Sequence, residues 1–484
     1  MPDSQSEQRL ARVPETVRHV HLIGVGGTAM AALAGMLSER GLRVTGSDKE
    51  LYEPTASLLA GSRVEVMRGF RAENLAPAPD LAVVGNVITR DNPEAVALLQ
   101  SAIPYLSMPE ALWHFFLSGR RVLMVAGTHG KTTSTAMAAQ VLAAARRDPS
   151  MLVGGIAKNF GSNYRLGKGG DFVIEGDEYD TAFFDKGPKF LHYRADAAII
   201  TAVEFDHADI YRDLDHVKSS FRKLAAAMDE TRILVVSADF PNALDVCAET
   251  RARMRTFGLR AGEFRPGAIA IGPEGARFTV TREGCPVSRE ILLKVGGRMN
   301  VANALGVFAM LSECGMASEE IARGLESFTG VVRRQEIVGE AGGVTVVDDF
   351  AHHPTAIRVT LEAVAERFPG RRILAAFEPR SNTARRNVFQ AGFASAFDRA
   401  EKVYLAPVYF KENDPIPEGE RLDTRALARD ISTRGPKALA ADSTAQILDA
   451  MLSEARAGDV ALFMSNGPFD RLKERFLAAL KSRA

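Results

Sequence analysis

Seven consecutive residues, Gly127-Thr128-His129-Gly130-Lys131-Thr132-Thr133, combine two glycines, three hydroxyls and an ammonium group. Glycines let a backbone turn tightly enough for successive N–H groups to face one anion. An apolar run, 121–126, precedes these residues, and a stretch rich in Ala and Met follows. Strand, glycine turn and helix form the setting of a phosphate loop, where the helix N-terminus adds partial positive charge. In that setting Gly127, Thr128, His129, Gly130 and Thr133 are expected to line the phosphates of a nucleotide, and Lys131 to bridge them. The Thr132 hydroxyl is placed to ligate Mg²⁺. Val125 stands where the common pattern has glycine, so the loop is a variant.

A triphosphate needs a cation, and the cation needs oxygen or imidazole ligands. Two buried-type strands end in them: 172–174 runs into Glu175, and 197–202 leads to Glu204-Phe-Asp206-His207. In a parallel sheet these strand ends share the edge of the phosphate loop. Glu175 and His207 are therefore expected to join Thr132 as metal ligands. Asn300 and Asn303 share one face at a helix start, where amides cap the helix or read a purine edge. Arg333-Arg334-Gln335 precedes Asp348-Asp349-Phe-Ala-His352-His353-Pro354. An arginine such as Arg334, carried to the γ-phosphate by domain closure, stabilises transferring charge. Asp349 and His352 lie at a strand end of the ligand-binding kind. Arg380, Ser381 and Asn382 end the next strand with a planar cation and hydrogen-bonding groups, suited to a carboxylate-rich substrate. Near the start of the chain, Gly24, Gly26 and Gly27 follow the strand 19–23, Asp48 follows a second strand and Asn86 a third.

The elements that must carry these residues alternate strand and helix, which predicts an α/β chain of parallel sheets. At 484 residues, about three domains are expected. They are a Rossmann-like N-terminal domain over 1–118, a P-loop ATPase-like central domain over 119–330 and a Rossmann-like C-terminal domain over 331–484. Strands are expected at 43–46, 81–85, 103–107, 233–237, 344–348, 372–377, 402–406 and 460–464, and an antiparallel insert between 256 and 295. Sixty basic residues balance sixty acidic ones, so no global field favours nucleic acid or an anionic membrane. Cys247, Cys285 and Cys314 form no C-x-x-C pair and read as buried thiols of a reducing compartment. Neither a signal peptide nor an apolar run of spanning length is expected, and the protein should be cytoplasmic without an obligatory protein partner.

The loop GTHGKTT, the strand-end glutamate and histidine, the NxxN helix and RR…DDxxHHPT together resemble the Mur ligase family over essentially the whole chain. The resemblance implies an ATP-dependent ligase that converts a carboxylate to an acyl phosphate and passes it to an amine. GVGGTAM…GSD is similar to the domain of members that bind UDP-N-acetylmuramate. This implies sugar-nucleotide contacts from Gly24, Gly26, Gly27, Asp48 and Asn86. Asn300, Asn303, Arg334 and Asp349 are implied to contact ATP, and Arg380, Ser381 and Asn382 the amine substrate. His352, or a water near it, would assist the amine proton. Residues 178–185, 204–210 and 378–383 resemble the branch whose amine is the murein tripeptide L-alanyl-γ-D-glutamyl-meso-diaminopimelate, with L-alanine the alternative amine. Phe221 occupies the place of the carbamylated lysine of some members, so none is expected. Pro468 and Asp470 stand where the family commonly has glycines. A nicotinamide-dependent dehydrogenase is the distant alternative suggested by Gly24-x-Gly26-Gly27 and Asp48, but it leaves the phosphate loop unexplained.

Overall fold

Short apolar runs bounded by glycine, proline or Asx residues form the strands of the computed structural model, and the stretches between them form covering helices. Residues 4–53, 55–408, 410, 414 and 416–483 are described. The chain is α/β, built on three sheets that are largely parallel. It divides into two compact units: residues up to Val203 with Asp215–Phe264 and Gly306–Gly324, and Glu204–Leu214 with Arg265–Leu305 and the chain from Leu325 onward.

The first unit holds two of the sheets. One is fully parallel, in the order Glu65–Arg68, Arg43–Asp48, His19–Ile23, Leu81–Val84, Tyr105–Ser107. Connections leave His19–Ile23 and Leu81–Val84 in opposite directions, opening a crevice beyond their C-terminal ends. In the other, Ser150–Ala157, Asp171–Gly176, Arg121–Ala126, Ala197–Ile200, Ile233–Ser237 and Arg253–Phe257 run parallel, with Ser162–Arg165 antiparallel at one edge. Arg121–Ala126 has a partner on both sides, which is why its sequence is apolar without alternation.

A buried polar network ties the first sheet together. Glu94 accepts from Ser47 Oγ and Asn74 Nδ2, both at 2.9 Å, and pairs with His21 Nε2 at 2.5 Å, while His21 Nδ1 meets Thr45 Oγ1 at 2.7 Å. Removing the carboxylate takes a partner from three polar groups at once. Glu94→Ala should therefore cost about 3 kcal/mol, visible as an earlier first transition in urea; an unshifted transition would show that the network adds nothing.

The second unit contains the third sheet, ordered Glu336–Ala341, Val344–Asp349, Val460–Met464, Ile373–Phe377, Lys402–Leu405, Lys437–Ala440, with only the first pair antiparallel. Ile357, Leu361, Phe393, Phe397 and Leu427 pack on one face of it, and Ile447, Met451, Leu472 and Phe476 on the other.

Several expectations shift. Thr256 belongs to a parallel strand, Arg253–Phe257, which Phe264 also joins in parallel, and the antiparallel pieces come later, such as Ala270–Gly272, Gly275–Phe278 and Ile291–Leu293. The strands expected at 103–107 and 197–202 are trimmed to Tyr105–Ser107 and Ala197–Ile200. Only Cys247 is buried; Cys314 is half-buried and Cys285 is exposed in a short hairpin, so the uniform reading of buried thiols fails. Among the described residues, no helix is long and apolar enough to cross a membrane.

Candidate functional site

The phosphate loop forms as expected between the strand Arg121–Ala126 and the helix Lys131–Ala144. Gly130 caps that helix at φ 80°, and Gly127 sits at φ 128°. A Cβ on Gly127 would lie 2.2 Å from Thr201 Oγ1, so only glycine lets the loop pass the next strand. The loop is anchored there: the Thr128 amide donates to the Ala202 carbonyl (2.8 Å), and the Thr201 hydroxyl donates to the His129 carbonyl (2.5 Å). Thr132 and Thr133 are buried in the first helical turn, whose N–H groups have no partner within the helix.

Lys131 Nζ donates to the Gly127 carbonyl at 2.6 Å and to both carboxylate oxygens of Glu178 at 2.9 Å. Burial alone would pull this ammonium down, but Glu178 and Glu175 outweigh it and hold it above its ordinary value. Glu175 lies at the end of Asp171–Gly176, in register with Val125. Its Oε1 accepts from the Thr132 hydroxyl at 3.1 Å and its Oε2 from the Gly154 amide at 2.7 Å. Two of the three expected metal ligands are thus adjacent, and both offer the hard oxygen donors that suit Mg²⁺. The third, His207, falls in the second compact unit.

There His207 adopts φ 56°, with its amide donating to Asp206 Oδ1 at 2.7 Å. Burial opposes ionisation of Asp206, yet the imidazoles of His207, His352 and His353 keep its carboxyl well below the usual range. His352 Nδ1 lies 3.0 Å from the Phe350 carbonyl; a carbonyl only accepts, so Nδ1 carries the proton and Nε2 keeps the basic lone pair. Burial, partly opposed by Asp206, pulls this imidazole below its ordinary value. His353 caps the helix Pro354–Arg367, accepting from the Thr355 amide at 3.3 Å.

The two arginines share one ring: the guanidinium of Arg333 lies 5.5 Å and that of Arg334 4.9 Å from the Phe350 ring centre, and Arg333 is also tied to the Ser465 and Gly467 carbonyls at 2.6 and 2.7 Å. Asp349 is buried and accepts from the Gln335 and Ala351 amides, both at 2.7 Å, so its carboxylate shapes the turn carrying Arg334. Asn300 donates to the Gly296 carbonyl at 2.7 Å and accepts from Asn303 at 3.3 Å, both side chains buried. Its amide thus ties back the chain before the helix rather than accepting from the helix's own N–H groups.

Residues 378–383 and 204–210, far apart in sequence, are stitched together within the second unit. Asn382 Nδ2 donates to Asp209 at 3.0 Å, and the Ala208 amide donates to Thr383 Oγ1 at 3.0 Å. Ser381 Oγ accepts from the Ala384 amide at 3.0 Å, a local turn bond. Arg380 is half exposed beside Glu378 and runs across Gly467, where a Cβ would meet its Cδ at 2.2 Å. Gly467→Ala should displace the Arg380 guanidinium from its place beside Glu378; a crystal structure of the variant with Arg380 unmoved would overturn this. The following turn keeps its shape without glycine at 470: Phe469, Asp470 and Arg471 adopt φ of 48°, 49° and 52°.

At the first sheet's crevice, Gly24 adopts φ 86° and Gly27 caps the helix Thr28–Glu39. Gly26 donates its amide to Asp48 Oδ2 at 2.8 Å, and that oxygen fills the space a Cβ at 26 would need. Asn86 is half-buried just beyond Leu81–Val84. Sequence reasoning left Glu178, Thr201, Asp206 and Gly467 unassigned. The first three lie inside the strand-end motifs, and only their contacts distinguish them from solvated neighbours.

Three family descriptions match successive parts of the chain: Mur ligase family, catalytic domain (residues 19–119), Mur ligase middle domain (125–311) and Mur ligase, glutamate ligase domain (333–467). A UDP-N-acetylmuramate--L-alanyl-gamma-D-glutamyl-meso-2,6-diaminoheptandioate ligase from Haemophilus influenzae is 35% identical over 96% of this chain and 100% of its own. The crystal structure of a murein peptide ligase from Psychrobacter arcticus matches with a TM-score of 0.71 and 31% identity, covering 96% of this chain and 99% of that one. A UDP-N-acetylmuramate-alanine ligase from Thermotoga maritima matches with a TM-score of 0.78 and 27% identity, covering 96% and 100%. With its phosphate loop, strand-end carboxylate and three-sheet architecture, the chain belongs to the Mur ligase family of ATP-dependent, amide-bond-forming ligases.

Proposed function

We propose that this ligase joins L-alanyl-γ-D-glutamyl-meso-diaminopimelate to the lactyl carboxylate of UDP-N-acetylmuramate in the cytoplasm, recycling wall peptide. The observation that carries this reading is the full-length likeness to the H. influenzae ligase of that name. The exposed Arg380 guanidinium, at the strand edge where residues 378–383 meet 204–210, suits a tripeptide bearing several carboxylates.

In this reading the crevice of the first sheet takes the sugar nucleotide, with Gly24, Gly26, Gly27, Asp48 and Asn86 around it. Residues 127–133 grip ATP, and Lys131 supports the phosphoryl group as the carboxylate attacks. Thr132 and Glu175 would hold Mg²⁺, which when bound neutralises charge on the β- and γ-phosphates, and His207 is assigned to a second metal position. Asn300, Asn303, Arg334 and Asp349 are assigned to ATP. Attack gives an acyl phosphate, whose leaving group is far better than oxide. His352, through its unprotonated Nε2, receives the alanyl amine's proton directly or through a water.

Incubation with ATP, Mg²⁺, UDP-N-acetylmuramate and an equimolar mixture of tripeptide and L-alanine, followed by mass spectrometry, tests the amine. The tripeptide adduct should form at least about tenfold faster, a 1.4 kcal/mol preference. A dominant alanine adduct would overturn the assignment in favour of the alanine-adding activity, the reading that the TM-score of 0.78 favours.

A further inference from the structure

Glu178 is buried, 3% exposed, and neither the metal site nor the substrate contacts above use it. Its two oxygens and the Gly127 carbonyl together receive Lys131 Nζ. An ammonium has three N–H donors, so a phosphate oxygen that takes Lys131 competes with Glu178 for it.

Glu178 opens a stiff hairpin. Asp177 anchors its base, accepting from Lys189 Nζ at 2.6 Å and from the Tyr179 amide at 3.0 Å. Asp180–Ala182 pairs antiparallel with Asp185–Pro188. The tip, Phe183-Phe184, packs against the core cluster of the first sheet to which Ile23, Val84 and Ile88 belong. The Phe184 ring meets Tyr105 edge-on at 5.2 Å and carries the Arg9 guanidinium at 4.7 Å. Asp185, just past the tip, pairs with His192 at 2.9 Å and lies 3.8 Å from Arg9. Ile23 and Ile88 flank Gly24 and Asn86, the residues placed around the sugar nucleotide. One hairpin therefore touches the first sheet's crevice wall at one end and the phosphate-loop lysine at the other, all within one compact unit.

We propose that Glu178 is a positioning residue for Lys131, and that the hairpin Asp177–Lys189 relays occupancy of the first sheet's crevice to that lysine. The relay rests on the sugar-nucleotide reading above; the competition between Glu178 and phosphate rests only on ATP use. With the crevice filled, the hairpin shifts Glu178 and yields Lys131 to phosphate, so ATP is cleaved only when an acceptor carboxylate is present. Nothing is oxidised or reduced; one ion pair is exchanged for another.

The test compares wild type with Glu178→Gln, nearly isosteric, and Phe184→Ala, remote from the phosphate loop. Calorimetry with a non-hydrolysable ATP analogue should show Glu178→Gln binding about tenfold tighter than wild type, because phosphate no longer displaces a carboxylate. Both variants should release ADP without UDP-N-acetylmuramate at least fivefold faster than wild type, measured at a temperature where circular dichroism shows each protein fully folded. Wild-type analogue affinity in Glu178→Gln, or wild-type ADP release in either variant, would overturn the relay. Failure of wild type to make the tripeptide adduct would overturn the function above instead, leaving the analogue titration decisive for Glu178.

Discussion

Lys131→Met should abolish amide formation, lowering the rate by about a thousandfold or more. Charge on the transferring phosphoryl group grows at the transition state, and a fixed ammonium in a water-poor loop stabilises it most there. The substitution also strands Glu178, a buried carboxylate whose cation has gone. Breaking such a pair costs about 3–5 kcal/mol, so the single variant mixes a catalytic loss with a folding loss. Lys131→Met with Glu178→Gln removes both charges and separates the two. The double variant should regain most of the stability lost by the single one and none of the activity. Single-turnover ADP release and thermal unfolding on the three proteins check this. Recovery of turnover in the double variant would remove Lys131 from the chemistry.

Glu175→Gln should raise the half-saturating Mg²⁺ concentration about tenfold or more and cut the rate at limiting Mg²⁺ by about a hundredfold. The amide is chosen because it keeps an acceptor for the Gly154 amide, so the strand end retains its shape. What it loses is the anionic oxygen now 3.1 Å from the Thr132 hydroxyl. A Mg²⁺ titration of initial rates reads the effect. An unchanged titration with a lower plateau would mean that Glu175 only props the loop.

Much of this site was legible from residue order because the chemistry is local. The phosphate loop spans seven residues between a strand and a helix, and the period change from strand to helix marks it. Glu175 was legible because parallel strands deliver their ends to one edge. The pairing of Glu178 with Lys131 was not, since the two stand 47 positions apart and only the fold brings them together. The difference between Arg333 and Arg334 also escapes the sequence: both lie over the Phe350 ring, and only folding shows that Arg333 also reaches the Ser465 and Gly467 carbonyls. The edge strands Glu65–Arg68 and Lys437–Ala440 went unread because they carry charged or small residues and little apolar signal. Cys285 was misjudged because a two-residue strand cannot bury what it carries.

The left-handed turn at 469–471 makes a record that selection experiments can read. Non-glycine residues in that conformation cost roughly 1–2 kcal/mol each, and the three positions differ in what offsets the cost. Phe469 is 5% exposed in the core, and Asp470 accepts from Thr444 and Arg475, both at 2.6 Å, while Arg471 is exposed. In a saturation library scored for folding, glycine and asparagine should rise at 471, where backbone preference votes alone. At 469 the ring's packing votes the other way, so the same two residues should be depleted there, and neighbouring codons with nearly equal φ would show opposite tastes.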